Sequence, residues 1–296
     1  MEAQRIHVDD GAGNKYDLYD VDGVLFPEYF TTDPVQRLQD IKNLVARDDD
    51  VVIVAYPKAG THWVWEMTNM LLRQTTDYHQ SMKEAQMIEL TETSVIDKLD
   101  SPRVLNTHLP FDKLPTDMIK RRCKLIYITR NPKDMAVSRY CHNSKGVVGY
   151  KGTFSDYLPL YMKGQVAFGS WFDFTNDWTK VIEDKSDYPI HTLVYEQLKR
   201  NTTEEVSKLA SFLGLKKDPS FIQDVCDKCS FTQLKDSYMK AKQIHLFKDN
   251  HNPQAYAFRK GQIGDWKNWF TVAQNEMFDA EILKKMPSLA DSFIYE

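Results

Sequence analysis

Cysteine, glycine and proline are sparse in this chain of 296 residues, and an excess of positive charge is missing altogether. Four cysteines, Cys123, Cys141, Cys226 and Cys229, are too few for a disulfide scaffold at this length and fit a reducing compartment. Cys226 and Cys229 form a CxxC, but no second pair or nearby histidine completes a zinc set and no thioredoxin-like context surrounds them, so the spacing reads as coincidence. With 12 Gly and 12 Pro, collagen-like and low-complexity architectures are excluded. The balance of 38 basic against 42 acidic residues, net −4, gives no general footprint for nucleic acid or a membrane surface, so any anion site must be local. No apolar run approaches the roughly 20 residues of a membrane span. Asp9, Asp10, Asp17, Asp20 and Asp22 interrupt the first stretch of chain, which predicts no secretory signal and a cytoplasmic protein. The sequon at Asn201-Thr202-Thr203 then carries no weight.

What the chain does contain is an alternation of short β-rich runs with longer helical patterns. Val51 to Ala55, Arg103 to Asn106, Lys124 to Thr129 and His191 to Val194 read as strands, and the first and third are almost wholly apolar, as parallel strands covered on both faces should be. Trp63, Met67, Met70 and Leu71 follow helical spacing after the first strand, with Thr61 or Thr75 marking the ends. Pro132 suits the first turn of a helix running into "KDMAVSRYCHN". Segments 155 to 184, 203 to 214 and 218 to 228 are also predicted helical, whereas 248 to 266 reads as a long ordered or ligand-ordered loop. Neither a repeat nor a linker divides the chain, so one α/β domain over 1–296 is expected.

Three loops carry anion-binding chemistry. In "YPKAGTHW", Gly60 permits close backbone approach, Lys58 brings a charge and Thr61 a hydroxyl, all before the N-terminus of a helix, where free amides and partial positive charge favour an anion. The Walker pattern GxxxxGK[ST] is absent, since the lysine precedes the glycine and no glycine opens the loop; this disfavours an ATP kinase. "ITRNPKDMAVSRY" places Arg130 at the carboxyl end of a strand and Ser138 two turns into the helix, at the sheet edge where ligands collect. "FRKGQIGDWKNWFT" adds Arg259 and Lys260 beside Gly261 and Gly264. Each loop alone has a bland reading as a structural turn or surface ion pair; three in one net-acidic chain suggest a ligand carrying more than one phosphate.

"YPKAGTHW", "THLP", "RNPKDMAVS" and "RKGQIGDWKNWFT", in this order from about residue 20 to the C-terminus, resemble the signatures of the cytosolic sulfotransferases. The resemblance implies a single domain around a five-stranded parallel sheet with a P-loop-like phosphosulfate-binding loop, and 3′-phosphoadenosine 5′-phosphosulfate (PAPS) as sulfuryl donor with no metal. It implies that Lys58, Ala59, Gly60, Thr61, His62 and Trp63 cradle the 5′-phosphosulfate, and that Arg130, Ser138, Arg259, Lys260 and Gly261 hold the 3′-phosphate. Tyr195 and the stretch Cys229, Ser230, Phe231, Thr232, Gln233 and Leu234 would surround the adenosine, with Trp63 stacking on adenine.

In "NTHLP", His108 matches the family's catalytic base, with Asn106 and Thr107 beside the substrate and Lys58 neutralising the departing phosphate oxygen. Alone, a histidine at a strand end is more often a core or loop residue; the context reverses that. Three positions depart from the family pattern. Asn106 stands where many members have lysine, His62 replaces a common threonine, and Cys229 replaces a common threonine or serine. These departures keep open a second reading, a nucleotide binder with little turnover. Lys267, Thr271, Val272 and Glu276 match the family's KxxxTVxxxE dimer motif, although Thr271 also reads as an ordinary helix cap. Phe30, Tyr140 and Trp171 are candidates for an acceptor pocket.

Overall fold

A computed structural model describes residues 2–28, 30–31, 33–145, 149–216, 218–241 and 258–296. The expected loop at 248–266 lies outside these up to position 257.

The four predicted parallel strands form one sheet in the order β5-β4-β6-β7, with β4 at Val51–Ala55, β5 at Val104–Thr107, β6 at Lys124–Thr129 and β7 at Ile190–Val194. Registers run Ile53 against both Asn106 and Ile126, and Ile126 against His191. Every residue of β4 is at most 2 % exposed, because helices cover both faces of the sheet. The expected fifth strand is absent among the described residues. Beside β5 there is one parallel bridge, Met87 to Asn106, with Ile88 N–H donating to the Asn106 carbonyl at 2.9 Å. A 3₁₀ turn at Lys83–Gln86 precedes the bridge and interrupts extended pairing.

The amino edge of the sheet is fastened by charge. Arg103, just before β5, donates to both carboxylate oxygens of Asp50, just before β4, at 2.7 and 2.6 Å; both residues are almost fully buried.

An antiparallel meander, β1 (Ala3–Asp9), β2 (Lys15–Val21) and β3 (Val24–Pro27), was not predicted. Val8, Leu18, Val21, Val24 and Phe26 face the core, and Ile6 and Leu25 pack partly buried against it. The Leu25 carbonyl of β3 accepts from Phe168 N–H at 2.8 Å, so the meander holds the loop before helix Trp171–Asp184. The region predicted helical over 155 to 184 is two helices, Phe154–Met162 and Trp171–Asp184; Gly164 and Gly169 take positive φ between them. Among the described residues no helix is long and apolar enough to cross a membrane.

Candidate active site

All four carboxyl ends of the sheet open on one cavity of about 400 Å³. Strand β4 delivers the loop to Lys58, Gly60 and Thr61; β5 ends at His108, β6 at Arg130 and β7 at Tyr195.

The first loop turns sharply. Lys58 takes φ +79° and Gly60 φ +110°, and helix Thr61–Arg73 starts with Gly60 as its N-cap and no side-chain cap bond. Trp63 and Val64 N–H donate to the Gly60 carbonyl at 3.0 and 3.3 Å, so the amide that meets a ligand at the helix start is that of Thr61. A Cβ on Gly60 would stand 2.8 Å from the Tyr195 ring, so glycine is required both by conformation and by space. For a lysine the left-handed conformation costs about 1–2 kcal/mol, and such strain recurs where a side chain is held for function. Lys58 Nζ lies 3.4 Å from His142 Nδ1. Burial, then the charges of Arg139 and Lys83, push its ammonium down to about 7.

Arg130 links this loop to β6: its Nη1 donates to the Lys58 carbonyl at 3.0 Å and its guanidinium lies 4.2 Å over the Tyr195 ring. Tyr195 meets Trp63 edge-on at 5.7 Å. Three buried donors on this wall have no hydrogen-bond partner among the described residues: Thr61 Oγ1, Trp63 Nε1 and Arg130 Nε. Unpaired buried donors are costly, and three around one cavity fit an anionic ligand that satisfies them. Cys229, Phe231 and Leu234 complete the wall, whereas Ser230, Thr232 and Gln233 point outward and are exposed, as helical spacing requires. Cys229 packs its thiol against Met70 Sδ at 3.7 Å, and burial drives that thiol's pKa well up.

The third basic loop is differently arranged from the expectation. Arg259, Lys260 and Gly261 do line the cavity, but both cations are paired with Asp265, Arg259 through Nη1 and Lys260 at 2.6 Å. Although burial opposes its charge, Lys260 and Arg259 hold the Asp265 carboxyl down to about 2. Gly261, at φ +63°, lies so close to Phe231 that a Cβ would reach 2.4 Å from the ring. Asp134 accepts from the amides of Gly264 and Trp266 at 2.7 and 2.9 Å and ties the loop to helix Pro132–Lys145, on which Ser138 also faces the cavity.

His108 Nδ1 is 2.6 Å from the Ala55 carbonyl. A carbonyl only accepts, so Nδ1 carries the proton and neutral imidazole keeps its lone pair on Nε2. Burial first, then the charge of Lys83, hold the ring well below its ordinary value of 6.5, so it is neutral at physiological pH. Its backbone N–H donates to the buried Glu89 carboxylate, which also accepts from Thr107 Oγ1 at 3.0 Å. Asn106, Thr107 and Ala59 lie behind the cavity wall, each 0 % exposed.

Around His108 stand Phe168, in ring contact at 5.1 Å, then Phe30, 5.6 Å from Phe168, with Met87 and Leu90. Tyr140 and Trp171 do not line the cavity; they sit in aromatic clusters with Phe154 and Trp269, and with Phe172 and Phe293. Unforeseen in the sequence are Lys83, Glu84, Arg139, His142 and Lys199. His62 Nε2 is 2.9 Å from Glu84 Oε1; burial works against the charge of Glu84, yet His62 and Lys83 hold its pKa well down.

A family model described as a sulfotransferase domain matches residues 48–290. The chain belongs to the sulfotransferase family. It is 35 % identical to mouse sulfotransferase 1B1, covering 83 % of this chain and 85 % of that one. Human sulfotransferase 1C2 is 32 % identical, with 96 % and 97 % covered. The crystal structure of mouse sulfotransferase SULT7A1 complexed with PAP superposes with a TM-score of 0.74 at 29 % identity, over 93 % of this chain and 97 % of that one. The sulfotransferase match spans the whole carboxyl edge of the sheet, from β4 to the loop that carries Arg259.

Proposed function

We propose that the chain works as one sulfotransferase domain over residues 1–296, transferring the sulfuryl group of PAPS to a hydroxyl or amine of a small, largely apolar acceptor such as a phenol, alcohol or steroid. The observation that carries this reading is the meeting, in one cavity, of a neutral His108 with its Nδ1 proton fixed and a half-buried Lys58 beside unpaired anion-seeking donors. The unpaired Thr61, Trp63 and Arg130 donors fit the nucleotide's phosphates and base edge. Bound there, PAPS supplies an activated sulfuryl group on a phosphate leaving group.

The residues then divide the work. Thr61, Arg130 and the first amide of helix Thr61–Arg73 hold the phosphate end; Ser138 and the Arg259, Lys260, Gly261 loop hold the 3′-phosphate once Asp265 shares its partners. Trp63 and Tyr195, with Cys229, Phe231 and Leu234, hold the adenosine. Phe30, Met87, Leu90 and Phe168 seat the acceptor's apolar body. His108 Nε2 takes the acceptor proton, a contribution on the order of 10²- to 10⁴-fold. Lys58 recovers a full positive charge as negative charge grows on the departing oxygen.

Incubation with labelled PAPS and a panel of phenols, alcohols, steroids and amines tests the reading, with His108→Ala as control. Sulfation of none of them, while 3′,5′-adenosine bisphosphate (PAP) still stabilises the fold, would leave the binder instead. We further propose a cytoplasmic homodimer. Thr271 caps helix Val272–Lys285 through Gln274, and Val272 is 75 % exposed beside exposed Glu276, a small apolar surface suited to a second copy. Lys267 stands at the same end of the chain, on Glu296. Sedimentation of Val272→Glu as a monomer beside a dimeric wild type is the expected result.

A further inference from the structure

Lys83, like Arg139 and Lys199, is a cavity cation that the reading above leaves without work, and it alone of the three sits on the acceptor segment. It opens the 3₁₀ turn Lys83–Gln86, and the same segment continues into Met87 and Leu90, two residues of the acceptor wall. Its side chain is 5 % exposed. The ammonium donates to Asn106 Oδ1 at 3.1 Å, and the amide returns a bond from Nδ2 to the Lys83 carbonyl at 2.9 Å. That clamp fixes the cation on β5. Asn106 and His108 are two residues apart along the chain, so they share one side of the extended segment. The ammonium is thereby set beside the imidazole.

A buried ammonium whose hydrogen-bond partner is a neutral amide has two N–H groups left, while its charge is set against the neighbouring carboxyls of Glu84 and Glu89. Glu84, next in the chain, directs Oε1 to His62. The charge of Lys83 acts on both His108 and Lys58, lowering each. It therefore stands within electrostatic reach of both ends of the reaction, the group that accepts the proton and the group that meets the leaving oxygen. The phosphate donors Thr61 and Arg130 come from β4 and β6, whereas Lys83 comes from the acceptor side.

Resting on the PAPS reading above, we propose that Lys83 is a catalytic residue that donates to an oxygen of the sulfuryl group in transit, with Asn106 as the positioning residue that aims it. In the step concerned, a lone pair of the acceptor oxygen forms the new bond to sulfur while the sulfur–oxygen bond to the 5′-phosphate breaks. That bonding pair leaves on the phosphate oxygen of PAP, and the acceptor proton passes to His108 Nε2. Lys83 keeps its proton and balances charge on the sulfuryl oxygens throughout. It also supplies from a neighbouring segment the positive charge that Asn106 itself cannot bring.

The test compares PAPS with PAP, which lacks the sulfuryl group, by equilibrium dialysis without acceptor on the full chain, its Lys83→Met and Lys83→Gln variants and the conservative Lys83→Arg. PAPS affinity is expected to fall on the order of tenfold in Met and Gln, with PAP changed less than about twofold and Arg close to wild type. Adding Asn106→Lys to Lys83→Met is expected to restore the preference for PAPS. An equal loss for both nucleotides, or an unchanged PAPS affinity in variants that PAP stabilises as it does the wild type, overturns the inference while the PAPS reading stands. A wild type that binds neither nucleotide overturns that reading and this inference together.

Discussion

The two edges of the central sheet treat charge in opposite ways. At the amino edge, Arg103 and Asp50 close on each other with two short bonds and leave little for a ligand. At the carboxyl edge, Arg130 spends Nη1 on a backbone carbonyl and its face on Tyr195 but leaves Nε unpaired, as Thr61 and Trp63 leave their donors. Both arginines are buried within the same sheet. The difference is what each is for: a satisfied pair fixes register, and unsatisfied donors store binding capacity that only an anion releases.

Breaking the two edges should therefore fail in different currencies. His108→Ala is expected to lower kcat by about 10²- to 10⁴-fold while thermal stabilisation by PAP persists, measured by initial rates beside a melting curve. Loss of PAP stabilisation with unchanged kcat would contradict the division drawn above. Asp50→Ala leaves the buried Arg103 guanidinium only the longer contact to half-exposed Asp97 for its charge and should cost about 3 kcal/mol in denaturant unfolding, with kcat of the folded protein unchanged. If that variant instead kept its stability and lost turnover, the amino edge would have a part in the chemistry.

How much of this could be read without the structure follows from the same contrast. Donors at the carboxyl edge come in contiguous runs, strand then loop then helix, because an anion site made from backbone amides must be local in sequence; Lys58 to Trp63 and Arg130 were legible for that reason. Charges brought in from other segments were not. Lys83 and Glu84 lie in a 3₁₀ turn before an isolated bridge rather than in a strand, so no extended apolar run marked them. Arg139 and His142 sit one and four residues after Ser138 on a helix whose buried residues mix Lys133, Asp134, Arg139 and Asn143 with apolar ones, so no clean apolar stripe marked which side faced the cavity. Asp265 carries no mark in the sequence, because an acid within a basic loop has the composition of solvated surface, whereas it is 3 % exposed and holds both cations. The meander escaped because its inward residues are few per strand, yet through Leu25 it positions Phe168 against His108.

A smaller perturbation sharpens the carboxyl edge without removing a donor. Gly60→Ala adds one methyl that would lie 2.8 Å from Tyr195 at a φ of +110°. The loop or the ring must shift, and a loss of about 1–3 kcal/mol in PAP binding is expected by calorimetry, with the fold retained. Wild-type affinity in this variant would show that the loop amides are not the anion's seat.

The smallest effect tests Lys58 by its proton alone. In the free protein its ammonium is pushed down to about 7 by burial and by Arg139 and Lys83. Between about 7 and its ordinary value of 10.5 the folded site is therefore largely neutral where the unfolded chain is charged. The unfolded state binds more protons in that window, so this group adds stability as pH rises through it. Binding runs the other way. A phosphate beside Lys58 restores the charged form, so above about pH 7 PAP binding takes up a proton, and affinity falls by at most about tenfold per pH unit. Calorimetry at pH 8 in buffers of different ionisation enthalpy should report that uptake, and Lys58→Met should abolish it. Proton-neutral binding by the wild type would mean that Lys58 is already charged in the empty site, and the contrast between a satisfied and a waiting edge would then rest on Arg130, Thr61 and Trp63 alone.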